Sequence, residues 1–123
     1  MGARMSEENV KKGRYSRNKG AQGERELAKI LSDQFSLDEV RRGYVFCNES
    51  DLVGLKGIHV ECKRVEKLNI EKAMEQAIRE SEKRKDGKPT VFHRKNRCEW
   101  LVTMRLRDWV NLYKGGAGNE DNR

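Results

Sequence analysis

The residues with the clearest chemical potential are Asp51, in Ser50-Asp51-Leu52-Val53, and the pair Glu61 and Lys63, in Glu61-Cys62-Lys63. Successive side chains in a strand point to opposite faces, so Glu61 and Lys63, two apart, share a face with His59, while Ile58, Val60 and Cys62 face the core. A hairpin through Leu55-Lys56-Gly57 brings Asp51 toward Glu61. Two carboxylates converging beside a lysine suit a hard cation, because Mg²⁺ takes one or two carboxylates together with waters and phosphate oxygens. The lysine can hold or activate an attacking water, or offset charge in a phosphoryl-transfer transition state. A Glu and a Lys two apart are also an ordinary pair on a solvated strand face. The upstream Asp51, across a glycine turn, favours the site.

Glu24 adds to this set. It falls on one helical face with Leu27, Ala28, Leu31 and Phe35, and an inward carboxylate needs a cation or donors, since burying it unpaired is costly. The alternative is a surface pairing with Arg25 or Lys29. His59 shares the face of Glu61 and could relay protons or help to bind metal, although a histidine beside a charged site is more often incidental.

The elements that must position these groups follow from periodicity. Lys19 to Phe35 reads as a helix. Tyr44-Val45-Phe46 suggests a short strand, and Asp51–Val53 and Ile58–Val65 read as two more. A second helix starts near Asn69, an N-cap, buries Ile70, Ala73, Met74, Ala77, Ile78 and Ser81, and stops at Asp86-Gly87. Strands follow at Thr90–Arg94 and Trp100–Met104, then a helix with Leu106, Trp109, Val110 and Tyr113 at the 3.6-residue period. The order αβββαββα implies an α/β domain, a mixed β-sheet flanked by helices. Residues 1–16 read as a flexible basic arm, 17–114 as a single domain and 115–123 as a disordered tail.

The chain has 123 residues, 38% of them charged, and 27 Lys+Arg against 20 Asp+Glu give a formal charge of +7. Such an excess favours a polyanion, because each neutralised phosphate releases condensed counterions. No apolar run spans a membrane, no signal peptide is evident, and the scattered Cys47, Cys62 and Cys98 suit a reducing compartment. A cytoplasmic location is expected.

The run Arg17-Asn18-Lys19-Gly20-Ala21-Gln22-Gly23-Glu24-Arg25-Glu26-Leu27 resembles the opening helix of archaeal-type Holliday junction resolvases. Asp51-Leu52-Val53 and Val60-Glu61-Cys62-Lys63 resemble the PD-(D/E)XK nuclease motif of that family, so the chain looks like a small phage or prophage member of the superfamily. Ser50 stands where the wider superfamily has proline. The resemblance implies a restriction-endonuclease-like fold and a homodimer that cuts branched DNA with Mg²⁺, or Mn²⁺ as a substitute, leaving 5′-phosphate and 3′-hydroxyl ends. It makes Glu24, Asp51, Glu61 and Lys63 the catalytic set. Asp51, Glu61, Glu24 and the Cys62 carbonyl become metal ligands, Lys63 serves the nucleophilic water, and Arg25 contacts phosphate. Gln76, on the second helix, occupies a place that related nucleases often put near the lysine, although a surface glutamine is commoner. Paired symmetric cuts need two sites at fixed spacing, which a two-fold dimer supplies.

For DNA contact, Lys83 to Arg97 holds seven basic residues (Lys83, Arg84, Lys85, Lys88, Arg94, Lys95, Arg97) against Asp86 alone. Arg17 and Lys19, with Lys11, Lys12 and Arg14, form a second basic set. His93 lies within the first. Trp100, Trp109 and Tyr113 fit core stripes better than a stacking platform. Three functions fit: a structure-selective resolvase, a less selective nuclease or nickase of the same fold, and a non-catalytic basic DNA-binding protein.

Overall fold

The computed structural model describes residues 7–35, 40–44 and 47–121, with side chains over 19–35, 40–44 and 47–115. Its elements are α1 (Glu7–Phe35), β1 (Arg41–Arg42), β2 (Leu52–Val53), β3 (Ile58–Arg64), α2 (Ile70–Arg84), β4 (Lys88–Arg94), β5 (Leu101–Met104) and α3 (Leu106–Asp121). One five-stranded sheet runs in the order β1-β2-β3-β4-β5. Only β3 and β4 are parallel; the other pairs are antiparallel. A parallel pair needs a long crossover, and α2 is that crossover. The α/β architecture expected from the sequence is the one observed.

β3 is covered on both faces. Val60 packs with Leu27, Ala28 and Leu31 of α1 and with Leu52, Val40 and Phe92. Across the sheet, Ala73 and Ala77 of α2 pack on Val91. The α2 stripe is as expected, and its Asn69 side chain accepts the Lys72 N–H at the N-cap. The β2–β3 turn also lies where expected, with Gly57 at φ +81° and the Ile58 N–H donating to the Leu55 carbonyl. At Gly87, φ is +134°, and a Cβ would lie 2.4 Å from the Gly57 backbone, so the α2–β4 loop and the β2–β3 turn meet backbone to backbone.

Several expectations are corrected. Helix α1 starts at Glu7, within the segment expected to form an arm, and α3 continues past Gly115 to Asp121. The first described strand is Arg41–Arg42; of the expected Tyr44–Phe46 strand, Tyr44 lies outside any strand, and Val45 and Phe46 lie outside the described residues. The position of β1 is set by pairing with β2, at Arg41↔Val53 and Arg42↔Leu52. Phe35 ends its stripe 60% exposed, and the supposed core residues of α3 are open to solvent, with Leu106 at 74%, Trp109 at 50% and Tyr113 at 67%. Trp109 and Tyr113 stack on each other instead, with ring centroids 5.4 Å apart. No described helix is long and apolar enough to cross a membrane.

Candidate active site

β2 pairs with β3 only at Leu52↔Val60. One step along that register Asp51 faces Glu61, and beyond it the edge of β3 carries no backbone partner from β2. The Asp51 side chain takes over that role, its Oδ2 accepting the Cys62 N–H at 2.8 Å. Around this open edge lies a cleft of about 300 Å³, lined by Glu24 of α1, Asp51 just before β2, Glu61 and Lys63 of β3, and Gln76 of α2. The four residues singled out from the sequence therefore meet in one place. Gly23 explains how α1 comes so close: a Cβ there would lie 2.9 Å from the Arg64 Cβ.

The polar contacts in the cleft are specific. Lys63 Nζ donates to Gln76 Oε1 at 3.1 Å and lies 3.8 Å from Glu61 Oε1. Gln76 is thus drawn into the cleft by the lysine and is not a plain surface residue. Glu24 Oε2 accepts from Arg42 Nε at 2.8 Å. Arg42 carried no sequence signal, because its partnership exists only once β1 lies against α1.

Burial, then the charge of Glu61, pushes the Asp51 carboxyl from its ordinary value up to about 7, and the Cys62 N–H only partly opposes this. Burial also pushes the Cys62 thiol up, so its sulfur stays protonated and faces the core, leaving at most its backbone carbonyl for a cation. An under-compensated pair of carboxylates is the donor set a hard cation fits. Among the described residues, no three His, Cys, Asp or Glu side chains converge tightly enough to cage an ion by themselves. Mg²⁺ needs fewer, since it keeps several waters.

Ser50 and His59 lie beside this set. Ser50 is buried and donates from Oγ to the Leu52 carbonyl at 2.8 Å, which shapes the chain around Asp51. His59 is fully buried. Its Nδ1 lies 2.8 Å from Asp86 Oδ1 and its Nε2 lies 3.6 Å from Glu61 Oε2. Burial works against a charged imidazole, but Glu61 and Asp86 outweigh it and hold the pKa above its ordinary value. The sequence presented Asp86 as a helix stop and as the one acid of the basic run, with no sign of a histidine partner.

The basic run does not form one patch. β4 separates it by roughly 20 Å, at about 3.3 Å per residue, with Lys83, Arg84, Lys85 and Lys88 at one end and Lys95 and Arg97 at the other. Lys63 pairs in register with His93, so Lys95 and Arg97, both exposed, lie toward the cleft end. Arg94 is occupied, with Nε and Nη2 donating to the two Glu26 oxygens at 2.8 and 3.0 Å. Arg84 bonds Glu80 and Asn48, and Lys19 lies 3.4 Å from Glu66. Arg25 is exposed. His93 Nε2 meets Thr103 Oγ1 at 2.9 Å, a bond between β4 and β5. The side chains of Lys11, Lys12, Arg14 and Arg17 lie outside the described residues.

No curated protein and no solved structure matches the chain. One family model matches, over residues 15–119. That span runs from α1 into α3 and includes every residue of the cleft, so the chain belongs to the family described as "Phage putative PDDEXK endonuclease".

Proposed function

We propose that the protein is a Mg²⁺-dependent endonuclease selective for branched DNA, resolving four-way junctions as a homodimer in the cytoplasm of a host cell. The observation that carries the catalytic part is the meeting of Glu24, Asp51, Glu61 and Lys63 at the open edge of β3. Asp51 and Glu61 are the residues that would hold the cation, with Glu24 and the Cys62 carbonyl at its margin. A divalent cation bound there would supply Lewis acidity toward a phosphodiester. Lys63, steadied by Gln76, presents its ammonium where a water and a phosphate oxygen would enter, and Glu24 is kept at the rim by Arg42. Lys95, Arg97 and Arg25, all exposed, would meet the DNA backbone, and Lys83, Lys85 and Lys88 would offer a second region at the far end of β4.

Support for a dimer comes from β5 and α3. β5 is an edge strand with Leu101 and Val102 exposed, and α3 exposes Leu106, Trp109, Leu112 and Tyr113 on successive turns. An apolar edge of this kind pairs readily with another chain, and a two-fold contact with a second copy makes one patch sufficient for both sides. Trp109→Glu is expected to shift sedimentation from dimer to monomer while each subunit keeps its circular dichroism. A wild-type protein that sediments as a monomer at tens of micromolar would remove the dimer.

The substrate reading is tested with labelled four-way junction, flap, single strand and matched duplex in Mg²⁺. Preference for the junction, by about tenfold or more in rate, with paired symmetric cuts, is the expected result. Equal cutting of all four substrates would select an unselective nuclease, and binding without cutting in Mg²⁺ or Mn²⁺ would leave a DNA-binding protein.

A further inference from the structure

We propose that His59 and Asp86 are positioning residues that fix the carboxylate of Glu61, leaving one of its oxygens to the cleft. This rests on the reading of Glu61 as a cation ligand. The geometry is a chain of three side chains running from the α2–β4 loop along the face of the sheet that α2 covers: Asp86, His59, Glu61. His59 occupies a fully buried position on the central strand β3. For packing alone an aliphatic residue would serve there at lower cost, since a buried imidazole must find partners for both nitrogens.

Two carboxylates flank the ring, one hydrogen-bonded and one at ion-pair distance. Nδ1 donates to Asp86, 2.8 Å from Oδ1 and 3.0 Å from Oδ2. Nε2, without a hydrogen-bond partner among the described residues, lies 3.6 Å from Glu61 Oε2, within ion-pair distance. The other Glu61 oxygen, Oε1, faces Lys63. The two ends of the Glu61 carboxylate are therefore assigned, Oε2 to the interior and Oε1 to the cleft.

Asp86 is an anchored end for this chain. The residue before it, Lys85, caps α2 in the left-handed region (φ 53°), its N–H donating to the Ser81 carbonyl at 2.7 Å. The residue after it, Gly87, is pressed against the Gly57 backbone, and the Lys88 N–H donates to the Gly57 carbonyl at 2.8 Å. With His59 removed, Glu61 could rotate onto Lys63, and that ion pair would occupy the carboxylate and the ammonium together. Partners that orient a metal ligand in this way typically change metal affinity by about 10- to 100-fold when lost.

Two substitutions separate the halves of the chain. In His59→Asn the side-chain amide can replace Nδ1 toward Asp86 but does not reach Glu61; in His59→Gln the amide can replace Nε2 toward Glu61. The full chain is titrated with Mn²⁺ alone, followed by calorimetry and by the electron paramagnetic resonance of free Mn²⁺, with junction cleavage and duplex binding measured in parallel. His59→Asn is expected to weaken Mn²⁺ binding by about 10- to 100-fold and to slow cleavage, with duplex affinity within twofold of wild type, and His59→Gln to recover part of both losses. Should His59→Asn not fold, Asp86→Ala, whose side chain is partly exposed, is expected to give the same weakening. A folded His59→Asn, or failing that Asp86→Ala, with wild-type Mn²⁺ affinity and cleavage overturns the positioning role alone. Wild-type protein that binds no Mn²⁺ overturns the cation-site reading and this inference with it.

Discussion

Asp51→Asn is expected to abolish DNA cleavage, by about three orders of magnitude or more, and at the same time to stabilise the metal-free protein above pH 7. The first effect follows from the proposed cation site, in which a charged oxygen would give way to a neutral amide beside Glu61. A thousandfold loss corresponds to about 4 kcal/mol of transition-state stabilisation. The second follows from linkage. Burial first, and Glu61 second, raise the Asp51 pKa from 3.8 to about 7 in the folded protein. An unfolded chain ionises this group near its ordinary value, so between those two pH values the folded state holds the extra proton and loses stability as pH rises. The loss is complete above about 7. Asparagine carries no such penalty, and its carbonyl can still accept the Cys62 N–H that Asp51 accepts at 2.8 Å. Melting curves from pH 5 to 8 should therefore fall less steeply for the variant, and Mg²⁺ or Mn²⁺ should raise the melting temperature of wild type at pH 8 but not that of Asp51→Asn. A variant that cuts at the wild-type rate sinks the site, and one whose melting follows pH as wild type does sinks the electrostatic account.

The cluster of Glu24, Asp51, Glu61 and Lys63 was legible in the sequence because its geometry is local. Strand alternation puts Glu61 and Lys63 on one face, a glycine turn returns Asp51 to them, and the helical period aligns Glu24 with Leu27, Ala28 and Leu31. Alternation even assigned His59 to the correct face. It could not show that α2 covers that face, because this cover exists only through the parallel β3–α2–β4 crossover, nor that Asp86 would close on His59 from 27 positions away. The same limit explains α3, whose apolar period is real but does not say whether the stripe meets a core or another molecule. It also explains the basic run, contiguous in sequence but divided by the length of β4. Arg42 and Arg94 acquire their carboxylate partners only in the folded sheet.

Glu26→Ala is expected to be the most destabilising single change outside the apolar core, by roughly 2–3 kcal/mol, below the cost of breaking a fully buried pair because Glu26 is partly open to solvent. Glu26 accepts from Arg94 Nε and Nη2 and from Trp100 Nε1 at 2.9 Å, with Arg64 Nη1 at 3.8 Å. One carboxylate thus ties α1 to β3, to β4 and to the loop before β5. Its loss leaves Arg94 and Arg64, mostly shielded from water, without their counter-charge. The pH dependence has the opposite sign to that of Asp51. Arg94 bonding, against burial, holds the Glu26 pKa below its ordinary value, so its stabilisation is present above about 4.5 and fades as pH falls through the lower folded value. Wild type and Glu26→Ala should differ by about 10 °C in melting temperature at pH 7 and converge in acid. The partner substitution separates two roles for Arg94. As the counter-charge of Glu26, Arg94→Ala destabilises in its own right, and the double variant costs clearly less than the sum of the singles. If Arg94 instead contacts DNA phosphate, its loss weakens duplex binding and leaves the melting temperature unchanged. Because α1 also carries Glu24, Glu26→Ala should lower cleavage along with stability, whereas Glu24→Gln should lower cleavage alone.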